Sequence, residues 1–358
     1  MSRTYRSGDR AVAVAEVRSR LALIGFSVES DDPEFFDERI GEAVRSFQQA
    51  RGIAVDGIIG PDTLRHLEEA KWRLGDRRLS FTPGHLMAGD DVISLQQRLT
   101  SMGFDCGKVD GLFGIRTELA LKDFQRSVGD PVDGIAGTAT FEALHRLART
   151  VSGGRAEKLR HSVLLDSLRT GIAAKTIVID PGHGGSDSGM ADNCVIEAEV
   201  VAAIADRIKG KLVAFGATVV LTRPIHRPHS PSEQERAELA NEVGADLVVS
   251  LHCDGATSDS AEGIAAFHYG APGRGSSPAG ERAAQRIHDA VIESTGAADC
   301  HIHGRTWDIL RLTKMTAVRI DIGYLTNPLE AERLADPGYQ EKVAAGITAG
   351  VVKFFEPV

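Results

Sequence analysis

An internal duplication near the N-terminus most constrains how this chain of 358 residues can fold. Segment 36–67 aligns with segment 113–144 at a constant offset of 77 residues, and 13 of the 32 aligned positions are identical. Chance would leave about two or three identities, so the two segments are copies of one unit. The duplication therefore predicts two small domains of the same fold, followed by a different region.

Each copy has the pattern of a small helical module. An amphipathic helix, Val12–Ile24 in the first copy and Asp91–Ser101 in the second, precedes a loop and a second helix. A tight turn of the form Val-Asp-Gly-Ile-x-Gly, in which glycine permits unusual backbone angles, then leads into a last short helix. We place the two modules at residues 1–72 and 85–149.

The rest of the chain alternates between strand and helix patterns. Residues 150–174 are interpreted as a small polar linker with a connecting helix at 156–168, and the last domain covers 175–358. Strands are predicted at 177–180, 218–222, 246–252, 263–269 and 317–322, and helices at 197–215, 231–243, 280–295 and 339–355. This alternation predicts an α/β fold with a mostly parallel sheet flanked by helices, preceded by two small helical domains.

The composition excludes some classes of function. The formal net charge of −9 and the isoelectric point near 5.8 argue against nucleic acid as a partner. No apolar run approaches the roughly 18 residues of a transmembrane helix. Because the first residues lack a signal peptide's apolar core, we expect a cytoplasmic location, with the cell wall by a non-signal route as the alternative. The four cysteines form no CxxC pair, so we expect them to be reduced.

Three separate segments of the last domain carry side chains suited to a metal ion. His183 follows the first strand in an Asp-Pro-Gly-His turn, Glu197 lies early in the first helix, and His252 ends a later strand. Two imidazoles and one carboxylate are a frequent ligand set for catalytic zinc, with a fourth position left for water. Glu199, two residues beyond Glu197, is the alternative carboxylate.

The two modules resemble the three-helix peptidoglycan-binding domain that is found on cell-wall hydrolases. The shared residues are the Phe-Gln pair of the second helix and the Asp-Gly-Ile-x-Gly-x-x-Thr turn. The resemblance implies binding of wall glycan, and the alternative is a packing or protein-docking unit. The first module departs from the pattern, because it has Asp37 where the second has Gly114 and carries extra acidic residues at positions 29, 31, 32 and 34.

The last domain resembles the zinc-dependent N-acetylmuramoyl-L-alanine amidase family across 175–358. Seven motifs occur in the family's order: Asp180–Gly185, Glu197, Val219–Arg223, Arg236–Asn241, Ala245–His252, Gly263 and Asp321–Asn327. The resemblance implies that His183, Glu197 and His252 bind Zn²⁺ and that peptidoglycan or a muramoyl peptide is the substrate. It also implies a catalytic role for Asp321 and substrate binding by three further residues, Arg319, Asn327 and Arg236.

The sequence departs from the family's pattern at the residue that carries the proton. The family has a glutamate where this chain has Asp321, and a shorter side chain retracts the carboxylate by about 1 Å, which can lower a rate by about 100-fold. Arg319 lies two residues earlier on the same face of the strand, where the family usually has an apolar residue. We expect an Arg319–Asp321 ion pair and weak or lost turnover; the alternative is that Arg319 anchors a substrate carboxylate.

Two functions follow from these observations. The first is a peptidoglycan amidase in which a zinc-activated water attacks the N-acetylmuramoyl–L-alanine amide bond and Asp321 carries the proton. The second is a catalytically impaired regulator of intracellular peptidoglycan precursor synthesis, because the chain also resembles a signal-less regulatory branch of the family. In that case the expected partners are cytoplasmic cell-wall synthesis enzymes and signalling proteins.

Overall fold

The computed structural model describes residues 4–26, 28–148, 170–225, 229–271 and 275–356. The connecting helix predicted at 156–168 lies outside these residues. The described residues belong to two units, one helical and one α/β.

The helical unit contains the two predicted modules, each with its own apolar core. Its helices are α1 Val12–Leu23, α2 Glu38–Arg51, α3 Pro61–Ala70, α4 Asp90–Ser101, α5 Ile115–Val128 and α6 Thr138–Ala148. The first core gathers around Phe36 and Phe47, and the second around their repeats Phe113 and Phe124. The duplicated aromatic positions therefore fill equivalent places in the two cores.

A buried glutamine organises the turn between the second and third helices of the first module. The Gln48 amide nitrogen donates to Asp56 Oδ1 at 2.7 Å, to the Ile58 carbonyl at 3.0 Å and to Thr63 Oγ1 at 3.0 Å. Its amide oxygen accepts from the Gly57 N–H at 2.9 Å. All four hydrogen-bonding groups close one turn, so the Asp-Gly-Ile-x-Gly-x-x-Thr pattern is the signature of a single hydrogen-bond network.

The same network occurs twice more in the second module. Gln125 forms it with Asp133, Gly134, Ile135 and Thr140. Gln96 forms it with Asp110, Gly111, Leu112 and Thr117. The copy around Gln96 joins α4 to α5, so the second module contains an internal repeat that the sequence comparison of whole modules did not reveal.

The α/β unit follows the predicted alternation. Its elements are β1 Thr176–Pro181, β2 Ala191–Asp192, β3 Val195–Ile196, α7 Glu197–Ala214, β4 Thr218–Leu221, α8 Glu233–Glu242, β5 Leu247–Asp254, β6 Ile264–Ala271, β7 Gly275–Ser276, α9 Pro278–Thr295, β8 Asp299–Arg305, α10 Asp308–Arg311, β9 Thr316–Tyr324, α11 Pro328–Ala335 and α12 Pro337–Phe355. The five predicted strands and four predicted helices of this domain are confirmed.

Within the described residues the main sheet has seven strands. Its order is β4-β1-β5-β9-β6-β7, and β8 pairs with β6. β4, β1, β5 and β9 are parallel, whereas β6 runs antiparallel to β9. The prediction of a mostly parallel sheet flanked by helices is therefore confirmed. None of the helices in the described ranges is long and apolar enough to cross a bilayer.

The two faces of the sheet bury different side chains. One face packs apolar residues, including Cys253, against α7, α9 and α12, and the other packs against α8 and α10. Because side chains alternate along a strand, His252 points to the opposite face from Cys253, as expected. That second face carries a polar row near the ends of β1, β5 and β9, formed by Asp180, Ser250, His252, Arg319 and Asp321.

Candidate active site

The loop after β1 carries His183 and is held by two buried arginines. Arg223 donates to the carbonyls of Pro181 at 2.9 Å and Gly182 at 3.1 Å. Arg236 donates to the carbonyl of His183 at 2.7 Å. A side chain at Gly182 would collide with the His252 ring, so only glycine permits this close approach.

The three predicted metal ligands come together at this loop. His183, Glu197 and His252 each offer one ligand atom, and these atoms all lie within 4.8 Å of one another. Glu197 Oε1 lies 3.2 Å from His183 Nε2 and 2.9 Å from His252 Nδ1. Two imidazole nitrogens around one carboxylate oxygen fit the donor set that catalytic zinc prefers. Zinc itself remains a prediction.

The electrostatics of the cluster favour a charged carboxylate. Burial alone would raise the pKa of Glu197, but hydrogen bonds from His183, His252 and the Met190 N–H hold that pKa well below its usual range. Burial likewise opposes the charged form of His183, whereas Glu197 and Asp187 raise its pKa. A buried anion between two imidazoles is an arrangement that a divalent cation can neutralise.

Asp187 orients the His183 ring. Its Oδ2 lies 2.8 Å from His183 Nδ1, and its Oδ1 accepts from the Gly189 N–H at 3.1 Å. A proton on Nδ1 that points at this carboxylate leaves Nε2 to face Glu197. Metal-binding histidines almost always have such a partner on the second ring nitrogen. The sequence analysis did not single out Asp187, although it lies only four residues after His183.

Glu199, the alternative ligand, is not part of the cluster. It is exposed and lines an open cavity of about 680 Å³ together with Asp187 and Arg207. Neither Glu197 nor Asp321 lines this cavity. The structure thus brings Glu197, and not Glu199, to the two histidines.

Asp321 lies beside the cluster and is already paired. It is in register with His252 on the neighbouring strand and is 5% exposed. Arg319 donates from Nε to Asp321 Oδ1 at 2.8 Å, with a second contact to Oδ2 at 3.4 Å. The Trp307 ring covers the Arg319 guanidinium at 4.2 Å. The expected ion pair is therefore present and is shielded by an aromatic ring, which the sequence analysis missed.

Arg236 and Asn327 hold backbone and side chains of the protein itself. Arg236 is 4% exposed and also donates to Asp180 Oδ1 at 2.7 Å. Asn327 is 6% exposed, caps α11 by accepting from the Leu329 N–H at 3.0 Å, and donates to the Ala261 carbonyl. These contacts give both residues a structural role, and substrate binding by them stays a prediction.

Two family models match separate parts of the chain. The N-acetylmuramoyl-L-alanine amidase family model matches residues 177–353. A peptidoglycan binding domain model matches residues 10–67 and 88–144. The amidase match includes most of β1, the cluster of His183, Glu197 and His252, and Asp321.

Individual relatives carry the same activity in their names. The N-acetylmuramoyl-L-alanine amidase CwlM of Mycobacterium tuberculosis is 42% identical over 98% of this chain and 89% of its own length. The germination-specific N-acetylmuramoyl-L-alanine amidase of Bacillus subtilis is 31% identical over 51% of this chain and 81% of its own. A solved N-acetylmuramoyl-L-alanine amidase from Clostridium difficile 630 aligns over 51% of this chain and 96% of its own, with 29% identity and a TM-score of 0.48. From the near full-length match, this chain belongs to the N-acetylmuramoyl-L-alanine amidase family.

Proposed function

We propose that the chain is a zinc-dependent hydrolase of the amide bond between N-acetylmuramic acid and L-alanine in peptidoglycan. The observation that carries this proposal is the convergence of His183, Glu197 and His252 within 4.8 Å, beside Asp321 in the strand register. Zinc held by these three residues would polarise the scissile carbonyl and lower the pKa of a water molecule. The helical modules would keep the α/β domain on its polymer.

The other residues of the site have distinct tasks. Arg223 and Arg236 fix the carbonyls of the His183 loop, and Asp187 fixes the His183 ring. In this proposal Asp321 would take a proton from the attacking water and return it to the amine of the departing L-alanine. Arg319 donates to that carboxylate and restricts its movement, so we expect slow proton transfer.

The Arg319–Asp321 pair favours a second candidate function. A carboxylate that is engaged by a guanidinium and is one methylene shorter than glutamate is a poor proton carrier. The alternative is thus a catalytically impaired protein that regulates intracellular peptidoglycan precursor synthesis by binding other proteins. In that case we expect a cytoplasmic location, which cell fractionation would test.

Hydrolysis assays on matched variants separate the two functions. The zinc-loaded full chain is incubated with N-acetylmuramoyl-L-alanyl-D-glutamate, and the released amine is measured. Restoring the longer carboxylate and removing the ion pair, in Asp321→Glu with Arg319→Leu, should raise the rate by about 100-fold. Asp321→Asn should remove the proton carrier and the activity, whereas the exposed control Arg282→Leu should leave the rate unchanged.

The hydrolase and the regulatory alternative predict different results in these assays. Zinc-dependent release of amine that is lost in Asp321→Asn supports the amidase. If the wild-type chain releases no amine and the double variant gains nothing, the hydrolase proposal is wrong and the regulatory alternative gains support.

A further inference from the structure

A second arginine, Arg305, lies near the Arg319–Asp321 pair. Arg305 ends β8, and its guanidinium carbon is 5.5 Å from the Phe267 ring centroid and 6.0 Å from that of Trp307. Its guanidinium donates to the carbonyl of Gly304 at 3.1 Å. Among the residues that the structure describes, no carboxylate forms an ion pair with it.

The two arginines share one aromatic ring but differ in charge balance. Arg319 stacks on Trp307 and is neutralised by Asp321. Arg305 lies near the same ring, and no carboxylate of the described residues forms an ion pair with it. Burial lowers the pKa of Arg305, although the charge of Asp321 acts in the opposite direction. A partly buried guanidinium with unused N–H donors attracts an anion more strongly than an exposed one does.

The strand register places this cation on the same face as the metal cluster. His252 is beside Asp321, and Arg319, on the same face, is beside Phe267 on β6. Phe267 is in turn beside His303 on β8, two residues before Arg305. Asp321 is beside Ala265 and Arg305 is beside Tyr269, four residues further along β6. A ligand that extends along this face from the cluster would therefore meet Asp321 first and Arg305 beyond it.

We propose that Arg305, stacked on Phe267 and Trp307, binds a carboxylate in the peptide part of a muramoyl peptide. This inference rests on the proposed function, since it assumes that the scissile amide lies between the metal cluster and Asp321. Arg319 already forms an ion pair with Asp321. Arg305 is therefore the arginine that would bind a substrate carboxylate. The site would then select peptides with an acidic residue after L-alanine.

A pair of ligands that differ only in charge tests the proposal. N-acetylmuramoyl-L-alanyl-D-glutamate and its diamide are titrated into the zinc-loaded full chain, with binding followed by ligand-observed NMR. The wild-type chain should bind the acid about 10-fold more tightly than the diamide, as expected for a charge-assisted pair. Arg305→Gln should lose this preference, Arg305→Lys should keep part of it, and the exposed control Arg282→Gln should keep all of it.

The same spectra report release of the dipeptide, so binding and turnover are read separately. A preference for the acid that depends on Arg305 supports the subsite even when no dipeptide is released, in which case only the proposed hydrolysis fails. Equal binding of acid and diamide by the wild-type chain would overturn the subsite alone. No binding of either compound would overturn the subsite together with the proposed substrate.

Discussion

His183 adopts a left-handed backbone conformation, with φ of 56°, that residues other than glycine rarely take. Such a conformation costs about 1 kcal/mol or more and persists only where the surroundings determine it. Here the surroundings are the guanidinium groups of Arg223 and Arg236, which hold the carbonyls of the loop. The strain aims the imidazole at Glu197, so both arginines act on the site through the backbone.

Removing the partner of the His183 ring should weaken the metal site without unfolding the protein. Asp187→Asn leaves the loop in place but removes the charge that orients Nδ1, so the affinity for zinc should fall by about 10-fold or more. Competition with a coloured chelator measures this affinity. Asp206→Asn, an exposed aspartate on α7, is the matched control, and an equal affinity in both variants would contradict the role of Asp187.

Asp180 makes the free energy of unfolding depend on pH. Burial alone would raise its pKa, but the Arg236 charge and the hydroxyls of Ser250 and Thr222 hold the pKa below its ordinary value of 3.8. Because the pKa is lower in the folded state, the unfolded state binds more protons near that value. The contribution of the Asp180 carboxylate to the stability of the folded state is therefore complete above about pH 4. It is lost as the pH falls toward the pKa of Asp180 in the folded state.

Asp180→Asn should consequently be most damaging at neutral pH. Leaving the Arg236 charge without its buried partner should lower the free energy of unfolding by about 3 kcal/mol at pH 7. The difference from the wild-type chain should shrink below about pH 4, because the unfolded wild-type chain then binds a proton that the folded carboxylate still excludes. Denaturant titration in the presence of a chelator measures both values, and a difference that stays constant with pH would contradict this account.

The convergence of His183, Glu197 and His252 was predictable from the sequence, but the contacts that support these residues were not. His183 and His252 follow apolar strands, and parallel strands bring their carboxyl ends to one edge of a sheet. The Arg319–Asp321 pair was also predictable, because alternate residues of a strand share a face. Trp307 covers Arg319 from a separate segment, and no local pattern indicates such a tertiary contact.

At the scale of elements, the strands that could be predicted from the sequence are those with a run of apolar residues. β1, β5 and β9 are nearly all buried and rich in β-branched residues, so their pattern is clear. β8 was missed because it is a partly exposed strand that reads Asp-Cys-His-Ile-His-Gly-Arg, and His301 within it has a left-handed φ of 64°. The repeat of the two modules is visible as sequence identity, whereas the network around Gln96 is visible only in the hydrogen bonds of the structure.

The glutamine network should matter to the stability of each module. Gln48→Ala removes four hydrogen bonds at one turn and leaves the buried Gly57 N–H without its acceptor. We expect a loss of about 2 kcal/mol in the free energy of unfolding of the helical unit. The neighbouring exposed Gln49→Ala is the matched control. Denaturant titration followed by circular dichroism compares the two, and equal stability would contradict the role of the network.

At the scale of the whole molecule, two repeated helical modules accompany one α/β domain of the amidase family. The fold class followed from the alternation of strands and helices, and the family from motifs in a fixed order. Whether the chain hydrolyses its proposed substrate does not follow from the fold, because the proposed proton carrier Asp321 is paired with Arg319. Among the described residues, the one cluster of side chains that could hold a metal ion lies in the α/β domain.

The central claim is that His183, Glu197 and His252 together hold a single zinc ion. The most direct measurement is the zinc content of the full chain after loading and dialysis, determined by elemental mass spectrometry. We predict one zinc per wild-type chain, none in His252→Ala, and one in His85→Ala, an exposed histidine of the helical unit. A wild-type chain that retains no zinc, or a His252→Ala variant that retains a full equivalent, would contradict the account.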